Sequence, residues 1–165
     1  MLKTPRAFLL FFLSCCLCIA GCPGENEALW QPAFEAEELG WLLNVWGPTG
    51  EDLLAVGGSL EEGLIMRYDG SRWSSEALPE GIPLLNWSYG FSSQDITTVG
   101  NGGTVIHWDG GAWTLEETPT EEDLWGIWGS APDDLWAVGG SGRPSSEATL
   151  LHYDGSAWSV ANFPE

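Results

Sequence analysis

The sequence predicts an all-β protein made of repeated four-stranded antiparallel sheets. Three copies of one pattern carry this prediction. In each copy an acid opens a short apolar run that ends in Val-Gly, and after a loop a second apolar run closes on an aromatic residue, Asp, Gly, two residues and Trp. The closing tryptophans, Trp73, Trp113 and Trp158, are spaced by 40 and then 45 residues. The difference lies in the loop after Val-Gly, where insertions are tolerated.

Each copy reads as four short strands. In the first copy the predicted strands are Leu42–Trp46, Leu53–Val56, Leu64–Tyr68 and Arg72–Leu78. Such runs are rich in β-branched and aromatic residues and are bounded by turn formers. The Asp-Gly pair predicts a tight hairpin between the third and fourth strands, because Gly accepts a positive φ. Four short strands in about 40 residues are typical of a β-propeller blade.

The domain organisation follows from these repeats. We expect a repeat domain over residues 29–165, with blades at about 41–79, 83–119 and 123–165. Gly-Gly after the second strand, Tyr in the third and Trp in the fourth resemble a kelch repeat, as at Gly57-Gly58, Tyr68 and Trp73. The resemblance implies a propeller and says little about function, since that fold hosts enzymes, lectins and scaffolds.

Residues 1–21 are predicted to be an export signal. A positive region with Lys3 and Arg6 precedes an apolar stretch that is too short for an ordinary membrane span. The residues ending at Cys22 resemble a bacterial lipobox, which implies cleavage before Cys22, lipidation of its thiol and a tether over residues 22–28. The alternative is a plain secretory peptide with an accidental cysteine. Under the first reading the chain is anchored in the bacterial cell envelope, in the inner or the outer membrane, and no disulfide is possible.

Charge limits the partners of the exported chain. All 24 acids and only three of the five basic residues lie after the leader, which gives a net charge of −21. No nucleic-acid partner is therefore expected, because binding phosphates needs Lys and Arg to replace counterions. Anionic headgroups would also repel the chain, so membrane attachment must come from the lipid.

The number of blades raises a question of closure. Trp30 stands in the register of a fourth-strand tryptophan, so an additional N-terminal strand precedes three complete blades. Known propellers usually close with four to eight blades. The open faces call for a homo-oligomer, such as two chains sharing a six-blade ring, or for a partner chain that supplies blades. The third possibility is a remnant of a longer protein that folds poorly.

Eight of the 11 tryptophans in the sequence fall into three groups. Trp73, Trp113 and Trp158 recur in register and are expected in the core. A second register position just before a glycine is expected to pack between blades; it holds Trp46, Tyr89 and Trp128. The third group lacks aromatic equivalents in all copies and is the candidate ligand surface, because aromatics stack on sugars and anchor protein interfaces. It consists of Trp87, Trp125 and Trp136.

Polar residues at repeated positions are expected to serve the fold. One strand-three position holds Arg67, His107 and His152 and is expected to face solvent. The acids that open strand two, Asp52, Asp95 and Asp134, are expected to cap turn N–H groups, and Asp69, Asp109 and Asp154 are expected to shape the hairpin turns. No metal-binding spacing and no nucleophile motif follows the leader, so we predict no metal, no cofactor and no catalytic residue.

The function predicted from these features is a non-catalytic binding or assembly module at the envelope, acting on a protein partner. Its interaction surface is expected in the loops of variable length, Ser59–Gly63 and Ser141–Ala148. A carbohydrate-binding propeller lectin is the alternative, and a sugar-active enzyme is third. A lectin should show one exposed aromatic at each blade junction, and an enzyme should show convergent carboxylates of unequal pKa.

Overall fold

The computed structural model describes residues 32–34, 39–140 and 148–162. The chain divides into two compact units, Met1–Ala33 and Phe34–Glu165, and all the described strands lie in the second. The predicted leader, Cys22, the tether and Trp30 lie outside the described residues.

Three four-stranded antiparallel sheets make up the second unit, which confirms the all-β prediction. In each sheet the strands lie in chain order. The first sheet contains β1 (Trp41–Thr49), β2 (Asp52–Gly58), β3 (Gly63–Tyr68) and β4 (Trp73–Ser75). The second contains β5 (Leu85–Ser92), β6 (Asp95–Gly100), β7 (Val105–Trp108) and β8 (Trp113–Glu116), with a 3₁₀ turn at Asn101–Gly103. The third contains β9 (Leu124–Ala131), β10 (Asp134–Gly139), β11 (Thr149–Tyr153) and β12 (Trp158–Val160).

The fourth strand is shorter than predicted in the first sheet. It ends at Ser75, and only one further backbone bond, from Glu76 N–H to the Ile65 carbonyl, extends the pairing. The apolar residue Leu78 was predicted to continue the strand, but its side chain packs against the core instead. Pro79 follows and has no N–H to donate, so pairing cannot continue through it.

The Asp-Gly hairpins form as predicted. The carboxylate of Asp69 accepts the N–H groups of Ser71 and Arg72, both at 2.9 Å. Asp109 and Asp154 likewise accept the N–H groups of the residues two and three positions further along the chain. Gly70 has a φ of +88°, a conformation that other residues adopt only with strain. These turns place the closing tryptophan of each sheet directly opposite the aromatic residue of the preceding strand.

Consecutive sheets pack face to face through two apolar clusters. In the second and third sheets we call the face that packs on the preceding sheet the leading face, and the opposite one the trailing face. In the first sheet the trailing face is the one that packs on the second sheet, and the leading face is its opposite. The first cluster joins trailing residues of the first sheet, such as Val56, to leading residues of the second, such as Leu85. The second cluster joins Val99 of the second sheet to Leu124 and Ile127 of the third. Trp113 and Trp158 are buried in these clusters as predicted, whereas Trp73, on the first leading face, is only half-buried.

Candidate binding surface

The first strands of the three sheets line one apolar cavity of about 600 Å³, together with two residues of β10. Neighbouring sheets pack along these strands, so residues far apart in the chain meet there. The lining residues are Asn44, Val45, Trp46, Trp87, Ser88, Tyr89, Trp125, Gly126, Ile127, Trp128, Trp136 and Val138.

All three candidate ligand-surface aromatics lie in this cavity. Trp87 and Trp125 are exposed, and Trp136 is half-buried. They come from different register positions on three strands, so the sequence pattern alone did not indicate that they would lie together. The structure therefore brings the three side chains into one surface.

Trp128 also lines the cavity, and within one molecule it does not pack between sheets as its repeat position predicts. Its register equivalents do pack: a Cβ placed on Gly90 would lie 2.7 Å from the Trp46 ring, and Tyr89 Oη donates to the Gly129 carbonyl at 3.0 Å. Trp128 itself is 57% exposed. The physical reason is its position on the trailing face of the third sheet, which no further sheet covers among the described residues.

The polar groups around the cavity bind one another. Asn44 Oδ1 accepts the Ser88 N–H at 3.1 Å, and the Ser88 hydroxyl lies 2.8 Å from that of Thr98. The indole N–H of Trp125 donates to the Gly140 carbonyl at 2.7 Å. The indole N–H of Trp136 likewise donates to Asp134 at 3.1 Å. The indole N–H groups of Trp125 and Trp136 are therefore already bound within the protein.

A contact between an aspartate and a basic residue repeats in each sheet and corrects two predictions. Asp52 contacts Arg67 at 3.4 Å, and the two equivalent pairs are His107 with Asp95 at 3.0 Å and His152 with Asp134 at 2.8 Å. The basic side chains are thus partly buried against carboxylates rather than directed into solvent. The turn N–H groups of Glu51 and Gln94 are bound by the Thr49 and Ser92 hydroxyls instead of by these acids.

Asp134 is the most heavily bonded of these acids. The hydroxyl of Ser130 and the ring of His152 both hydrogen-bond to its carboxylate and hold its pKa below the usual range. The imidazole of His152 also packs against Trp136 in a tilted arrangement, with ring centroids 4.2 Å apart. These contacts orient Trp136 at the cavity edge, so the Asp134–His152 pair supports the aromatic surface.

Tryptophan–glutamate bonds connect neighbouring sheets, and the sequence reading missed them. Trp113 Nε1 donates to Glu76 at 3.0 Å, and Trp158 Nε1 donates to Glu116 at 2.6 Å. Each glutamate stands three residues after the tryptophan of its own sheet, a spacing that was visible in the sequence. The third sheet has Ala161 at this place.

The loop surface predicted from length variation is only partly described. In Ser59–Gly63 the Ser59 hydroxyl accepts the N–H groups of Glu61 and Glu62, and Leu60 is exposed. The other loop, Ser141–Ala148, lies outside the described residues except for Ala148. Within the described ranges, no three His, Cys, Asp or Glu side chains are grouped so that they could hold a metal ion.

Comparison with known proteins gives no identification. No family model matches the chain, and no curated protein or solved structure matches it. In the part of the chain that the structure describes, no helix is long and apolar enough to cross a membrane.

Proposed function

We propose that this chain is a non-catalytic assembly module of propeller type, resembling kelch repeats, which binds a protein partner through the aromatic cavity. One observation carries the proposal: Trp87, Trp125, Trp128 and Trp136 line one apolar cavity with a volume of about 600 Å³. Exposed, clustered aromatic residues are the usual anchors of protein interfaces, because they bury large apolar area at a small cost in side-chain entropy.

The hydrogen bonding of this surface favours a protein over a sugar. A sugar presents hydroxyl groups along the edges of its ring, and a site for it needs polar side chains beside the stacking aromatics. Here the indole N–H groups of Trp125 and Trp136 bind groups of the protein itself. The exposed rings also stand at different register positions, and a lectin would repeat one ring at each junction. Carbohydrate binding is therefore the less supported alternative.

The proposal includes attachment to the bacterial envelope. Cys22, in its lipobox-like context, would carry the lipid, and the strong negative charge leaves that lipid as the means of attachment. Anchoring confines the module to two dimensions and raises its effective concentration near other envelope proteins. A weakly binding apolar surface is then sufficient for assembly.

Site-specific photo-crosslinking in the cell of origin tests the proposed function. The photoreactive residue p-benzoylphenylalanine replaces Trp125 in the cavity, or Leu115 as the control. Leu115 is also exposed but lies on β8, away from the cavity lining. We expect protein adducts of discrete mass from position 125 and few from position 115. Equal adduct yields at the two positions, or none at position 125, would contradict a protein-binding role for the cavity.

A further inference from the structure

The two formed junctions between sheets use the same positions. At each junction a trailing valine of the second strand, Val56 or Val99, packs with the leading leucine of the next sheet. Both valines are fully buried. At the second junction Val99 belongs to the same cluster as Leu124 and Ile127. This contact set therefore defines what a third junction of the same kind would require.

The same positions are open on the two outer faces. On the trailing face of the third sheet, Val138 is 49% exposed, although it stands in the register of Val56 and Val99. On the leading face of the first sheet, Val45 is 61% exposed, although its equivalent Ile127 is 5% exposed. Leu42, the equivalent of Leu124, is exposed too. The first-strand and second-strand positions of an unmade junction are thus exposed on the two outer faces of one molecule, whereas Ala55 and Met66, the equivalents of Ala137 and Leu151 on the leading face, are already buried.

We propose that the trailing face of the third sheet docks on the leading face of the first sheet of a second copy of this chain. In this head-to-tail arrangement Val138 lies against Leu42 and Val45 of the second copy, as Val99 lies against Leu124 and Ile127. Trp128 lies over Gly47 of the second copy, as Trp46 lies over Gly90. Two such junctions, related by a two-fold axis, close two chains into one ring of six sheets.

At Trp73 the proposed junction between two copies differs from the two junctions within one chain. Ala161 replaces the glutamate that accepts the next tryptophan, so Trp73 of the second copy receives no carboxylate from it. Trp73 already has an apolar neighbour, because Phe34 packs on it with ring centroids 5.5 Å apart. A methyl group at position 161 leaves room for that ring. The junction between copies therefore relies on apolar contact, whereas the two junctions within one chain use a hydrogen bond from tryptophan to glutamate.

This inference rests on the proposed function and specifies the partner as the chain itself.

Two differently tagged full-length copies are expressed together and exported, one carrying Val45→Cys and the other Val138→Cys. Each copy carries one introduced cysteine, so a disulfide between these two positions can only join two molecules. The control pairs Val138→Cys with Leu115→Cys, since Leu115 is as exposed as Val45 but lies outside the junction. Copies without introduced cysteines give the background.

We expect at least about ten-fold more mixed disulfide dimer from the 45/138 pair than from the 138/115 pair, because the bond forms only where the Cβ atoms approach closely. Equal yields, no mixed dimer, or a 138/138 dimer in excess would overturn the head-to-tail junction. Thermal melts of each variant verify folding. Adducts from position 125 to a different protein, without a 45/138 dimer, would overturn this inference and leave the proposed function standing. No adduct and no dimer would overturn both.

Discussion

Asp69, Asp109 and Asp154 hold the same turn in the three sheets, and each does so with its carboxylate ionised. Hydrogen bonds from the Ser156 hydroxyl and from the N–H groups of Ala157 and Ser156 lower the pKa of Asp154 to about 2. Asp69 has the same donors in its own turn, and its pKa also falls to about 2. A carboxyl group whose pKa is lower in the folded than in the unfolded chain stabilises the fold at neutral pH.

The sign of this linkage gives a prediction for Asp154→Ala. The stabilisation is present above the unfolded pKa of about 4 and is lost as the pH falls through about 2. We expect the variant to melt at a lower temperature than the wild type at pH 7, and the difference to shrink as the pH falls from about 4 and to vanish below about 2. Glu80→Ala removes the same charge from an exposed turn and is the matched control. A difference between Asp154→Ala and the wild type that did not depend on pH would contradict this account.

At the scale of the elements, Glu76 joins the first sheet to the second. Its carboxylate binds Arg67 Nε and Trp113 Nε1, and the Arg67 guanidinium lies 5.2 Å from the centre of the Trp108 ring. The equivalent Glu116 accepts a bond from Trp158 of the third sheet. The first junction thus contains a charge-assisted network on a largely buried arginine, which makes it more dependent on its glutamate.

Truncation of the two glutamates should therefore have unequal effects. We expect Glu76→Ala to destabilise the protein by about 2–4 kcal/mol, because a partly buried guanidinium and an indole N–H both lose their acceptor. Glu116→Ala should cost about 1–2 kcal/mol, since one indole N–H is left unpaired. Denaturant unfolding measures both, with the exposed neighbour Glu117→Ala as the control. A larger loss for Glu116→Ala than for Glu76→Ala would contradict the network.

Features that depend on a few adjacent residues could be predicted from the sequence. The Asp-Gly turns and the strand order follow from local spacing and formed as expected. The environment of Trp128 could not be predicted in this way. Tyr89 stands at the same repeat position, and the difference is that the third sheet packs on the face that carries Tyr89, whereas no described sheet packs on the face that carries Trp128. The Trp158–Glu116 bond spans 42 residues. Its signal was the repeated Trp-to-Glu spacing, which gains a meaning only once neighbouring sheets are known to pack.

For the whole molecule, the proposed lipid anchor predicts where the chain is found. We expect the wild-type chain to fractionate with membranes and to take up labelled fatty acid. Cys22→Ala should remove the label and release the chain from the membrane, because an acidic chain has no electrostatic attraction to anionic headgroups. The control Cys18→Ala changes a cysteine within the predicted leader and should leave both readouts unchanged. Membrane attachment of Cys22→Ala at the wild-type level would refute the lipid anchor.

Net charge predicts how salt affects association of two copies. Each exported copy is expected to carry a charge of −21, so the copies repel, whereas the proposed contacts at Val45 and Val138 are uncharged. Raising the salt from about 20 mM to about 500 mM screens the repulsion and should increase the yield of the 45/138 disulfide dimer. Light scattering on the full chain in mild detergent should show the same trend.

A charge exchange across the junction should reduce this salt dependence. In a chain carrying Val45→Lys together with Val138→Glu, the net charge of each copy is unchanged and each junction of the head-to-tail dimer gains an opposite-charge pair. Association at low salt should therefore be stronger than for Val138→Glu, and the gain from added salt smaller than for the wild type, because salt screens these pairs too. Val138→Glu alone adds two charges to a repelling pair of copies and should stay monomeric at low salt. A double variant that associates no better than Val138→Glu would show that positions 45 and 138 of different copies do not meet.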